Sequence, residues 1–203
     1  MNSQKLKHVI LTRFNLGLYD RDSRTANEWM DHRMEYFERT RESVLSQDCE
    51  FEWILAMDSR TPNKYLHNII TDDRMTITRK DPRGYIPKGW TITTRLDNDD
   101  LYRPGAIDAI QFCASTKELV IDLRYQQLCY GVLYSSGKKF EGWERPKPNS
   151  PFISLVSKDS NCYARPHSKM LEDNKGIFAS NDPLAYMVIH DRNLGNKIVG
   201  RKI

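Results

Sequence analysis

Apolar positions along the chain fall into short runs separated by charged turns. His8 to Phe14 (HVILTRF) is a near-continuous apolar run, the pattern of a parallel strand buried on both faces. Asn15 to Asp22 reads as a loop, and Thr25-Ala-Asn-Glu28 fits a capping box that opens a helix. Met30, Met34, Phe37, Val44 and Leu45 then recur at roughly helical spacing. Phe51 to Met57 reads as a second strand, with Asp58 at its carboxyl end. Thr61-Pro62 places proline at the first position of a short helix carrying Tyr65, Leu66, Ile69 and Ile70. Met75 to Thr78 and Trp90 to Leu96 complete the first half as third and fourth strands.

This β-α-β-α-β-β order predicts an α/β fold, with a mostly parallel central sheet flanked by helices. Open sheets of this kind bind ligands outside the carboxyl ends of their strands. Thr12, Arg13 and Phe14, then Asp58, then the acidic run after Leu96 all fall at such ends. In the second half, Pro104 starts a helix with Ile107 and Ile110 facing inward. Glu118 to Leu123 reads as a strand, Gln127 to Tyr134 as one extended segment, and Phe152 to Ser157 as another strand. Asn161 to Asn181 is polar and mixed. Leu184 to Ile189 fits helix or strand equally. Neither repeats nor linkers appear, so one domain is expected over residues 1–203, complete or as one module of a longer polypeptide.

Composition narrows the classes. Charged residues make up 29% and hydrophobic residues 39% of 203, a globular balance. A net charge of +4 does not argue for nucleic acid. The basic groups Lys138-Lys139, Arg145 to Lys147 and Arg192 to Lys202 are scattered, without aromatic interleaving. No apolar run reaches the roughly 20 residues that span a bilayer, and the first residues lack a signal-peptide core. The four cysteines form no CxxC pair, which argues against a zinc site built on them and for a reducing compartment. The expected location is the cytoplasm, or the host cytoplasm for a viral chain.

Candidate chemistry centres on Thr93 to Asp100 (TTRLDNDD), where Asp97, Asp99 and Asp100 set three carboxylates within four residues. Like charges so close repel, and a hard divalent cation, Mg²⁺ or Mn²⁺, is the natural counter-charge. An Asp/Asn-rich turn capping the next helix is the plainer explanation. A calcium loop of EF-hand type fails, because Leu101 and Tyr102 stand where it needs an acidic residue and glycine. Arg95, two residues before Asp97, is placed to reach a phosphate or lock the carboxylates. Arg79 and Arg83 are weaker phosphate candidates, since most arginines are simply solvated.

Asp97-Asn98-Asp99 is also a DxD motif at a strand end. With the flanking TTRLDNDD it resembles the rhamnosyltransferase group of GT-A fold (nucleotide-diphospho-sugar transferase) glycosyltransferases. Further patches of likeness are Thr12 to Phe14 (TRF), Asp58 to Pro62 (DxxTP) and His190 to Asn193 (HDRN). The resemblance implies a metal-dependent enzyme. It would move a hexose, rhamnose or a relative, from a UDP- or dTDP-type sugar donor to a glycan or sugar acceptor. It implies Asp97, Asp99 and His190 as metal ligands. Thr12, Arg13, Phe14, Asp58 and Asn98 would lie along the nucleotide. Inverting transfer needs a base near the acceptor hydroxyl. His167, the Glu172-Asp173 pair and Asp100 are the candidates, and an exposed acidic turn accounts for Glu172-Asp173 equally well. Trp143 and Phe152 are candidates for an acceptor wall or for the core. Two rivals are a metal-dependent nucleotidyltransferase, disfavoured by the lack of a glycine-rich phosphate loop, and a non-catalytic sugar- or nucleic-acid-binding module.

Overall fold

A computed structural model describes residues 5–20, 23–129, 132–135, 150–171, 176–191, 198 and 201–203. The first half alternates strands and helices: β1 (Lys7–Arg13), α1 (Ser23–Leu45), β2 (Glu52–Ala56), α2 (Asn63–Ile69), β3 (Met75–Thr78) and β4 (Thr91–Arg95). Then come β5 (Leu101–Tyr102), α3 (Ala106–Cys113), β6 (Leu119–Asp122), β7 (Tyr125–Cys129), β8 (Val132–Ser135) and β9 (Ile153–Ser157). β10 (Gly176–Phe178), β11 (Ala185–Ile189) and β12 (Arg201–Lys202) complete the described elements.

The larger sheet has seven strands in the order β10-β6-β9-β4-β1-β2-β3. β4, β1, β2 and β3 are parallel neighbours, and β9 runs antiparallel between β4 and β6. The fold is therefore α/β with a mixed, mostly parallel central sheet. In β1 the alternation of side chains feeds two cores. Ile10 and Phe14 join the cluster built with α1, α2 and α3. Val9 and Leu11 pack instead with Cys162, Tyr163 and Met170. Among the described residues, the helices thus cover one face of the sheet. The segment around 161–171 covers the other, where helices on both faces were expected.

The second sheet, in the order β12-β8-β7-β11-β5, has no counterpart in the sequence reading. Gln127 to Tyr134 is not one extended segment but the two strands of an antiparallel pair, Cys129 opposite Val132. Leu184 to Ile189 resolves as strand, because β11 finds partners on both sides, β7 and β5. Helix starts also shift. α1 begins two residues before Thr25, a difference within the fraying range of helix ends. Pro62 is the N-cap of α2 rather than its first residue. Gly105, at φ 81°, precedes α3 in a left-handed conformation that favours glycine, so the helix opens at Ala106 and not at Pro104. Phe152 is fully buried, its ring 5.6 Å from that of Tyr125 and 6.3 Å from that of Tyr102, so it belongs to the core rather than to an acceptor wall. Among the described residues, no helix is long and apolar enough to cross a membrane.

His8 illustrates how the sheet handles a buried polar side chain. Its Nε2 lies 2.7 Å from Thr94 Oγ1, and its Nδ1 lies 3.3 Å from Gln111 Nε2. An amide nitrogen only donates, so Nδ1 accepts and Nε2–H donates to Thr94, which fits a neutral ring. Burial pushes the His8 pKa down to about 3. Below the usual value near 6.5 the unfolded chain takes up a proton that the folded one refuses. Stability from this group is complete above that value and falls by about 1.4 kcal/mol per pH unit below it. Urea unfolding at pH 7, 6 and 5 should therefore show a steeper loss for the wild type than for His8→Asn; equal slopes would show that His8 does not carry it.

Candidate functional site

From β1 the chain lays down β2 and β3 on one side and then returns to place β4 on the other, so the order of strand addition reverses at the β1/β4 boundary. At such a switch point the connections after neighbouring strands leave a crevice outside the carboxyl ends, where ligands of α/β proteins collect. The registers put Leu11 beside Arg95 and Arg13 beside Ala56, so the ends of β1, β2 and β4 share one edge. Asn98 ties that edge together by donating from Nδ2 to the Phe14 carbonyl at 3.0 Å. Asn15 does the same between β1 and β2, accepting from the Asp58 N–H at 2.9 Å and donating to Thr61 Oγ1 at 2.9 Å.

Each of the three clustered carboxylates is stabilised differently. Asp97 is half-exposed and accepts from Arg95 Nε and Nη2 at 3.2–3.3 Å. Asp99 is buried, with Oδ2 ion-paired to Arg33 and 3.1 Å from His190 Nε2. Asp100 is buried too, and its Oδ1 accepts from the Val188 N–H at 3.0 Å. Burial, then the neighbouring Asp99 and Asp97, hold its carboxyl well above the usual range. The cross-strand partner is decisive here: β11 pairs antiparallel with β5, immediately after the acidic run, and delivers His190 to Asp99.

α1 supplies what the sequence reading missed. Ala26, Met30, Arg33, Phe37, Thr40 and Val44 form its buried stripe, and Arg33 is the one charged member. The Arg33 guanidinium lies 4.7 Å from the Trp29 ring centroid, a cation–π contact that aids its burial. Tyr36 stacks on His190 at 4.3 Å between centroids, with an interplanar angle of 25°. His32 completes this face, its Nε2 3.6 Å from Asp191 Oδ1, and the nearest ligand atoms of His32, His190 and Asp191 all lie within 4.8 Å of one another. Trp29, His32, Arg33 and Tyr36 share one helix face by their spacing. An arginine on an apolar stripe was the available signal for it.

The remaining predicted residues divide into groups. His167 opens a 3₁₀ turn; burial, then the Arg95 charge, lower its pKa, which favours the neutral ring at pH 7. Arg95 itself lies 5.2 Å from the Tyr163 ring centroid. Asp58 is held by its own neighbours: Arg60 donates to both oxygens at 2.8–2.9 Å, and the Gly17 N–H donates at 3.2 Å. The Arg60 fork brings its pKa down to about 2. Arg79 donates to the Asp58 carbonyl at 2.6 Å, while Arg13 and Arg83 both pair with Asp81. Thr12 and Phe14 turn their side chains inward, Thr12 to accept from Trp53 Nε1 at 3.0 Å and Phe14 to pack edge-on against Phe37. Neither side chain faces the crevice, because the odd and even positions of β1 both enter cores. Glu172, Asp173, Arg192, Asn193, Trp143, Lys138, Lys139, Arg145 and Lys147 lie outside the described residues.

No protein-family profile matches the sequence, and no curated protein gives a significant match.

The arrangement concentrates negative charge beside an imidazole and two arginines, in walls of low dielectric where such charges interact strongly. Arg33 does for Asp99 part of what a cation alone was expected to do. Removing one partner of a buried ion pair leaves the other charge uncompensated and costs about 3–5 kcal/mol. Arg33→Met should lose stability on that scale in urea unfolding, and the Arg33→Met/Asp99→Asn double variant should recover part of it. Strictly additive losses would show that Arg33 does not offset Asp99.

Proposed function

We propose that the protein is a metal-dependent glycosyltransferase of the GT-A type. It transfers a hexose, rhamnose or a relative, from a UDP- or dTDP-type sugar donor to a glycan hydroxyl. One observation carries the reading: Asp97, Arg95 and Asp99 follow β4 at the carboxyl edge of the parallel strands, at the switch point beside β1, and His190 meets Asp99 there. Fold alone does not imply function; the DxD sequence and its geometry supply the chemistry.

The donor set suits a divalent cation. Asp99 and His190 already converge at 3.1 Å, while Asp97, two residues before Asp99 and partly open to solvent, is paired with Arg95 and would have to turn from it to join them. Asp97, Asp99 and His190 would hold Mn²⁺ or Mg²⁺, which supplies Lewis-acid neutralisation of the charge growing on a departing diphosphate. Arg33 sits against the same Asp99 oxygen as His190 and sets the electrostatic competition for it. Arg95 lies where it can donate to a phosphate without leaving Asp97. The Asn15–Asp58–Gly17 network holds the adjoining edge as a rigid wall for the nucleoside. His167, neutral at pH 7, can accept the proton of an acceptor hydroxyl; Asp100, buried and committed to Val188, serves as a structural tie.

Calorimetric titration of UDP, dTDP and GDP, each with Mn²⁺, Mg²⁺ or EDTA, tests the reading. Binding of at least one nucleotide should require the cation and weaken by more than about tenfold in Asp99→Asn, a loss of about 1.4 kcal/mol. If none of the three binds under any condition, the transferase assignment is wrong. Once a donor is found, His167→Ala should slow transfer by about 10²–10⁴-fold with nucleotide affinity unchanged. Unaltered transfer would remove His167 from the mechanism.

A further inference from the structure

The outer side of His190 carries a second arrangement of donors. His190 presents Nε2 to Asp99 at 3.1 Å, while its other nitrogen, Nδ1, lies 3.9 Å from Asp191 Oδ1. His32, from α1, brings Nε2 to 3.6 Å from the same Asp191 oxygen. Both imidazoles rest on Tyr36, His190 stacked at 4.3 Å and His32 edge-on at 5.2 Å. Side chains from two separate parts of the chain therefore bring three donor atoms within 4.8 Å of one another, with both rings against Tyr36.

We propose that His32, His190 and Asp191 bind a late first-row divalent cation of the zinc class, with Asp99 as the outer carboxylate that orients His190. The donor chemistry favours this class. Two imidazoles and one carboxylate select zinc, cobalt or nickel over Mg²⁺ or Ca²⁺, which prefer all-oxygen shells. Donor atoms bound tetrahedrally to zinc at about 2.0–2.1 Å lie roughly 3.3 Å apart, so from spacings within 4.8 Å the site closes by rotation of the exposed Asp191 together with a shift of the His32 ring toward His190. A metal-bound histidine characteristically donates its other N–H to a carboxylate, which fixes the ring and raises its basicity. Asp99 occupies that position, and its own place is set by Arg33. Three protein ligands leave a coordination position for water, and Asp191, at 68% side-chain exposure, gives the cation a path from solvent.

This site goes beyond the transferase reading and competes with it at His190, whose Nε2 that reading gives to the donor-binding cation. With its Nε2–H committed to Asp99 and its Nδ1 turned to Asp191, His190 would leave the donor-binding cation to Asp97 and Asp99. A zinc-class ion there would cross-link α1 to the end of β11 and stabilise the native state by mass action.

The test is titration of untagged protein with Co²⁺, followed by visible d–d absorption, and then displacement by Zn²⁺. One equivalent of Co²⁺ should give the absorption of a low-coordinate N/O site, and one equivalent of Zn²⁺ should abolish it and raise the Tm. His32→Gln and Asp191→Asn should each weaken Co²⁺ binding by about 100-fold or more, since even outer-shell changes cost about 10–100-fold. Circular dichroism checks that the variants fold, and Asp191→Asn, on the surface, decides the matter if His32→Gln does not. Nucleotide binding with Mn²⁺ should survive His32→Gln, which separates failure of this site from failure of the transferase reading. Absence of a 1:1 Co²⁺ complex would overturn the proposal, as would a complex that both variants retain, held by thiols or other histidines.

Discussion

Three carboxylates packed into four residues at a buried joint between two sheets set the terms for the rest of this structure. Charges so close and so poorly hydrated repel unless each finds its own compensation. Asp97 does so with Arg95 at the solvent edge, Asp99 with Arg33 and His190 in the interior, and Asp100 by accepting a backbone N–H from β11. These solutions call on different elements. α1 must dock with Arg33 inward, β11 must pair with β5, and the loop after β4 must turn tightly enough to separate the three. The acidic run therefore acts as a fastening point for the helix, the central sheet and the second sheet at once.

The same arrangement makes the site chemically versatile. Buried wall residues keep water out and strengthen each electrostatic contact, while Asp97 and Asp191 remain open to solvent on either side. His190 is the pivot, because its two ring nitrogens face different carboxylates. Tyr36 holds the plane of that ring, and Asp99 influences which nitrogen carries the proton. A side chain held this firmly is preorganised for ligation or for proton handling, and little of its geometry need change when a ligand arrives.

Much of the first half was legible from residue order. The near-continuous apolar run of β1 signals burial on both faces, and the Thr25–Glu28 capping pattern after it places α1 within two residues of its observed start. The parallel order of β1 to β3 follows from α1 and α2, which carry the chain back over the sheet, while β3 reaches β4 through a connection with only a 3₁₀ turn. The acidic edge was visible too, because the residue after an apolar strand in such folds lies on the binding side. Arg33 was not read, although it stands within the buried stripe of α1, because arginines are solvated in most places and only a carboxylate partner makes burial tolerable. Thr12 and Phe14 sit at a promising strand end, yet their side chains serve the core. Position along a strand does not say which direction a side chain takes when both faces are covered.

By itself the sequence determined the local pattern: which runs are extended, where α1 lies, and that a dense carboxylate cluster follows the fourth strand. Those features depend on the residue's own stereochemistry and on neighbours within a turn or two. Only the tertiary structure decided that β5, two residues long, pairs with β11 more than 80 positions later, and so brings His190 onto Asp99. A strand so short carries no periodicity to detect, and its stability comes almost wholly from the partner it finds. Burial of Arg33 and the gathering of His32, His190 and Asp191 are decided the same way. Each is unfavourable or meaningless alone and becomes stable only when distant segments supply the opposite charge, the stacking ring or the second donor.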